Sequence, residues 1–237
     1  MTNGSRLHWV DALRGCLILM MVVYHFAFDV DYMALGTVDV FTGAWLVFAR
    51  FIQFGFLSLV GLSLFLSYRH SAYPLFLKRQ ASRVLMVLGA ALLVTVGTWL
   101  AVPEAFVRFG ILHLVAFSIP IASLLIASIP LTLAGIFLSL AMWIGFPSLH
   151  LETSFLIPFG ITPPDFYTLD YFPLFPWLAV VLTGTLVGRL LEHWKWLEPS
   201  KEPLQSPLLE TLGRHSLLIY LLHQPVLIGI LWVSIHV

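Results

Sequence analysis

From Phe109 to Phe146 the chain has no residue that is charged at neutral pH. Such a run is too apolar for a hydrated loop, and it is long enough for two membrane crossings of about 20 residues each. In lipid every backbone N–H and C=O must be satisfied within the segment, so spans of this kind fold as α-helices. The same pattern recurs along the chain. Seven spans are predicted, near 13–32, 44–67, 84–102, two within 109–146 joined by a tight turn at Ser128-Ile129-Pro130, 173–191 and 208–233. Composition agrees: 10% of residues are charged and the mean hydropathy is +0.95, against about a quarter charged in soluble domains. The expected fold is an all-α integral membrane bundle of about seven helices, a single domain over residues 1–237, with the lipid bilayer as its surroundings.

The connectors orient it. The stretch Tyr68–Arg83 is basic, with Arg69, His70, Lys78, Arg79 and Arg83, and its middle, 71–77, is expected along the interface. A second polar connector, 192–205, holds Glu192, Lys195, Glu198, Lys201 and Glu202. With seven spans, all Lys and Arg except Arg50 and Arg108 gather on the side of the N-terminus. Asp29, Asp31, Asp39, Glu104, Glu152, Asp165 and Asp170 gather on the other. By the positive-inside bias the N-terminus is cytoplasmic and the C-terminus extracytoplasmic. A single crossing in 109–146 would destroy this asymmetry. Net charge is zero, so nothing draws the chain to nucleic acid.

The first span breaks the apolar rule. The stretch 6–32 that forms it carries Asp11, Arg14, His25 and Asp29. At about 100° per residue these four fall within roughly 60° of arc, a stripe that must face protein or a wet cavity. Arg14 and His25 lie about 16 Å apart along the axis. Histidine is the usual base near neutral pH, and Asp29, one turn on, is placed to fix its tautomer as a triad acid does. The alternative is a buried polar pair that holds helices together.

Other polar groups have two readings each. Arg50 and Arg108, near the outer ends of their spans, either snorkel to headgroups or hold an anionic group at the outer mouth. His113 either contacts the cavity or packs helices. Tyr220, His223 and Gln224 share a face of the last span, beside Pro225. Asp170 lies in an outer loop rich in proline and aromatics, expected as a lid, and has Arg50, Arg108 or His25 as potential partners. Tyr167, Tyr171 and Trp177 there have rings suited to stacking on sugars. Cys16, the single cysteine, forms no intrachain disulfide and is expected to pack in the first span. No His/carboxylate spacing compels a metal site, and none is expected.

The segment from Asp11-Ala-Leu-Arg14 to His25 resembles the Arg-x10-His signature of transmembrane acyltransferases, the acyltransferase-three group. The closer resemblance is to bacterial proteins related to the catalytic region of heparan-α-glucosaminide N-acetyltransferase. Arg108–Leu114, Asp170–Trp177 and Leu212–Pro225 extend it over nearly the whole chain. The resemblance implies a multi-pass enzyme of the bacterial inner membrane. It would move acetyl from cytoplasmic acetyl-CoA to an amine or hydroxyl of a glycan-like acceptor, with Arg14, His25 and Asp29 as the catalytic group. On that reading Arg14, Arg69, Lys78, Arg79 and Arg83 hold the CoA phosphates. Arg50, Arg108, His113, Asp170 and His223 face the acceptor. A homodimer is open. So are two other classes: a proton-coupled transporter, which would also use buried His, Asp and Arg, and a non-catalytic membrane subunit.

Overall fold

The structure is a computed structural model and describes residues 7–33, 35–36, 39–146, 153–197 and 206–236. Arg6, Glu152, Glu198, Lys201 and Glu202, used above for charge asymmetry, lie outside the described residues. Among these described residues eight α-helices follow in order: α1 His8–Tyr32, α2 Gly43–Arg69, α3 Tyr73–Ala101, α4 Ile111–Leu125, α5 Ile129–Gly145, α6 Leu174–His193, α7 Pro207–Arg214 and α8 Ser216–His236. A short 3-10 helix, Ser154–Phe159, precedes α6. Among the described residues five helices (α1, α2, α3, α6 and α8) are long and apolar enough to cross a membrane. The uncharged run does fold as two helices, but α4 has 15 residues and α5 has 17, shorter than a full span. Ser128 starts α5 by accepting a hydrogen bond from the Leu131 N–H, with Pro130 in the first turn, where its missing N–H costs nothing.

Two boundaries differ from expectation. The third helix begins at Tyr73, not Val84, so the basic connector is mostly its first turns rather than a separate interfacial piece. Pro74 sits in the first turn, and nothing between Leu75 and Val84 breaks a helix. The last span is split. Its start forms α7, and His215 (φ −100°, ψ 15°) leaves helical geometry before α8. Pro225 does not break α8, which runs through it.

The chain divides into two units: residues 1–56 with 195–237, and residues 57–194. In the first, α1 packs on α7 and α8. Ile18, Met21 and Ile52 form a buried cluster, covered by Phe48, Phe56, Leu212, Ile219 and Tyr220 among others. α1 and α7 touch backbone to backbone: a Cβ on Gly15 would overlap the Leu209 carbonyl, and one on Gly213 the Asp11 carbonyl. Cys16, one step round α1 from Gly15, is exposed rather than packed. The reason is rotational: Gly15 takes the face that meets α7, and its neighbour turns away.

In the second unit α3–α6 and the end of α2 enclose Leu57, Leu64, Phe65, Phe76, Leu114, Ile119, Ile126, Val181 and Leu182. α2 and α6 use the same device, with Gly61 against the Val181 carbonyl and Gly184 against the Ser58 carbonyl. Small residues that let backbones approach are the usual means of packing membrane helices, because lipid supplies no hydrophobic drive between them.

Candidate functional site

α1 turns its polar stripe toward the C-terminal helices of its own unit. Arg14 donates to Asp11 at 2.8 Å, an i,i+3 pair with both side chains half-buried. Farther along, Asp29 is 2% exposed and His223 8%. His25 and His223 meet nearly at right angles, ring centroids 4.7 Å apart.

The protonation pattern follows from the partners. His25 Nδ1 lies 2.9 Å from the Met21 carbonyl, and His223 Nδ1 lies 2.6 Å from the Tyr220 carbonyl. A carbonyl only accepts, so both rings carry hydrogen on Nδ1 and present Nε2 as a lone pair. The expected His25–Asp29 hydrogen bond is absent. The His25 ring points back toward the N-terminus of its helix, as helical side chains do, and its only N–H reaches Met21. Asp29 Oδ1 instead accepts from Gln224 Nε2. The Met21 carbonyl, rather than Asp29, is therefore the group that holds the His25 tautomer. Arg50 on α2 donates to Gln53 at 3.0 Å.

Three buried atoms in this cluster have no hydrogen-bond partner: Asp29 Oδ2, His223 Nε2 and Gln224 Oε1. Each costs about 1–3 kcal/mol.

In the second unit the structure collects Arg108, His113 and Asp170 around the start of α4. The Asp170 carboxylate accepts from the Ile111 N–H at 3.0 Å and caps α4 from a distant loop. Gly110 makes room for it, since a Cβ there would overlap the carboxylate. The loop is strapped down along its length. Leu169 N–H donates to the Ala105 carbonyl at 2.8 Å, Phe172 N–H to the Phe109 carbonyl at 3.0 Å, and Thr168 Oγ1 to the Phe106 carbonyl at 2.8 Å. The expected lid is thus a fixed strap within its unit. His113 has no spare nitrogen. Its Nδ1 accepts from the Gly110 N–H at 3.3 Å. Its Nε2 lies 3.4 Å from Thr95 Oγ1, whose own hydrogen goes to the Val107 carbonyl, so Nε2 is the donor. Arg108 stacks over Phe106 and Phe166, at 5.0 and 5.3 Å from the ring centroids, a cation–π seat. Trp177 is buried against Phe172, and the Tyr171 hydroxyl donates to the Ile157 carbonyl at 2.8 Å. Of the three rings expected to be open to sugars, Tyr167 is the exposed one.

Burial pushes the Asp170 carboxyl up to about 6, with the Ile111 N–H pulling it part of the way back. Folding therefore raises its proton affinity above that of a free carboxyl. Its stabilising contribution is complete below pH about 4 and is lost as pH rises through about 6. Asp170→Asn, which keeps an acceptor for Ile111, should remove that step. Thermal unfolding in detergent between pH 4 and 7 measures it, and a step of unchanged size in the variant would refute the assignment.

The basic residues flank the α2–α3 turn. Arg69 pairs with Glu192 at 3.3 Å, Arg79 donates to Ser71 Oγ at 2.8 Å, Lys78 is exposed and Arg83 half-buried. Sequence reasoning missed Arg189, which donates to the Ile126 carbonyl and covers the Phe65 ring. It also missed Gln224 as the partner of Asp29. No local signal marks a pair separated by almost the whole chain.

Residues 6–225 match the family described as heparan-alpha-glucosaminide N-acetyltransferase, catalytic. The chain belongs to that family. Membership implies acyltransferase activity of the membrane acetyltransferase type and agrees with the apolar helices of an integral membrane protein. No curated protein and no solved structure matches the chain. Within this heparan-alpha-glucosaminide N-acetyltransferase-like chain, the matched region includes both halves of the α1–α8 cluster, His25 with Asp29 and His223 with Gln224.

Proposed function

We propose that the protein transfers an acetyl group from cytoplasmic acetyl-CoA to an amine or hydroxyl of a glycan-like acceptor, within or across a bacterial inner membrane. His25 is the base. The observation that carries this reading is the His25–Met21 hydrogen bond, which commits Nδ1 and leaves Nε2 as a lone pair inside a membrane helix of an acyltransferase family. His25 Nε2 takes the acceptor's proton as its nitrogen or oxygen attacks the thioester carbonyl. Arg14, at the end of α1 expected to face the cytoplasm, meets the CoA phosphates. Arg69, Lys78, Arg79 and Arg83 do the same on α2 and α3, as clustered guanidinium and ammonium groups can. Arg50, Arg108 and His223 serve the acceptor side. Asp170 and His113 support the loop that presents Arg108 and Tyr167.

The test is CoA thiol release by purified protein given acetyl-CoA and amino or hydroxy sugars. Arg14→Ala should raise the apparent KM for acetyl-CoA about tenfold, the loss of one charged hydrogen bond, with kcat changed only a few-fold. Thiol release no faster than with heat-inactivated protein, across amine and hydroxyl acceptors, rejects the proposal. Flux of a solute without acetyl-CoA turnover would favour the transporter reading instead.

A further inference from the structure

The junction between α7 and α8 holds a cavity of about 300 Å³, lined by Arg214, His215, Leu217, Leu218 and Leu221. Its lining changes character along the helix. The two basic residues precede the first residue of α8, and the leucines follow in its first turns. Spacings of three and four put Arg214, Leu217, Leu218 and Leu221 on one face. α8 is one of the helices able to cross a membrane, and it has 21 residues. That is about 30 Å of helix, the thickness of a hydrocarbon layer. Arg214 and His215 therefore stand at headgroup level, and the leucines among the first methylenes of the lipid chains. Leu218 and Leu222 are both about half exposed, so apolar surface continues from the cavity down the span.

Arg214 has donors to spare. Its Nε donates to the Glu210 carbonyl at 3.2 Å. The Glu210 carboxylate is engaged by His8 at 2.7 Å and lies 3.9 Å from Arg214 Nη2, beyond hydrogen-bond range. Among the described residues the two terminal nitrogens of Arg214 donate no hydrogen bond. His215 Nδ1 donates to the Thr211 carbonyl at 2.9 Å, which fixes its ring as a wall of the cavity.

We propose that this cavity seats one anionic phospholipid, with its headgroup phosphate on Arg214 and the start of an acyl chain on Leu217, Leu218 and Leu221. Charge complementarity selects the headgroup. A guanidinium offers parallel N–H groups to phosphate oxygens, and basic residues beside a span attract anionic lipid. The leucines select a lipid over a soluble phosphate, which would leave the apolar wall uncovered. A ligand that binds the folded junction also stabilises it by mass action. The site does not include His25 and is independent of the acyl-transfer reading.

The test uses the full chain, delipidated in neutral detergent. Native mass spectrometry compares retention of phosphatidylglycerol with that of phosphatidylcholine carrying the same chains, and thermal unfolding is read with each lipid. Phosphatidylglycerol should bind about fivefold more tightly, the worth of one basic residue beside an anionic headgroup, and should raise the melting temperature more. Arg214→Gln should abolish the preference. Lys195→Gln, an exposed cation of the same unit outside the cavity, should keep it. Leu218→Ser should weaken both lipids and leave the preference in place. Equal retention of the two lipids by the wild type overturns the proposal, as does a preference that survives Arg214→Gln. Displacement of phosphatidylglycerol by an equal concentration of glycerol phosphate, which has no chains, overturns the lipid in favour of a soluble phosphate. If Arg214→Gln does not fold, Leu218→Ser decides, and retention of both lipids at the wild-type level then overturns the seat.

Discussion

Purified His25→Ala protein loses acyl transfer by about 10²–10⁴-fold, the contribution of a positioned general base, while CoA binding and the melting temperature stay near wild type. The separation is expected because the ring makes one hydrogen bond to its own helix and is not part of the buried core of its unit. Arg14, assigned to CoA, is three turns away along α1. Stopped thiol release together with a CoA titration decides it. Full transfer by the alanine variant would remove His25 as the base, and loss of CoA binding would make its role structural.

The second large effect is on stability. Gly213→Leu should unfold the α1–α7 contact, because its side chain would be driven into the Asp11 carbonyl. Backbone cannot yield as a flexible side chain can, so the cost exceeds the usual 1–3 kcal/mol of overpacking. Gly15→Leu should do the same through the Leu209 carbonyl. Gly89→Leu and Gly97→Leu on α3 are the controls, with nothing within 4 Å of an added Cβ. Thermal unfolding in detergent compares the four. Wild-type melting of Gly213→Leu would show that the two helices do not approach in this way.

His113 and His25 show how far sequence reasoning reaches. Each is a histidine in an apolar helix, and the sequence alone leaves each either functional or packing. Their hydrogen bonds differ. The Gly110 N–H and Thr95 hydroxyl use both nitrogens of His113, whereas Met21 uses one of His25. Those partners depend on where a helix start and a second helix fall, and residue spacing does not show that. Asp29 is similar. Helical periodicity placed it on the stripe with His25, yet Gln224 is its partner because α8 returns beside α1. Asp170 was legible as a special loop residue, but its role as a cap for α4 required the fold to bring the loop back to Gly110.

By itself the sequence determined the class of structure. Apolar runs in lipid have no alternative to helix, so the helical elements and the α4–α5 turn were readable from hydropathy and from Ser128 and Pro130. It also determined which first-span residues were out of place, since charge in an apolar helix stands out without any neighbour. Only the tertiary structure decided where these groups find partners, where the last span breaks and which glycines are contact points. Each depends on residues distant in the chain meeting within hydrogen-bond or van der Waals range, and periodicity along one helix contains no information about the helix that packs against it.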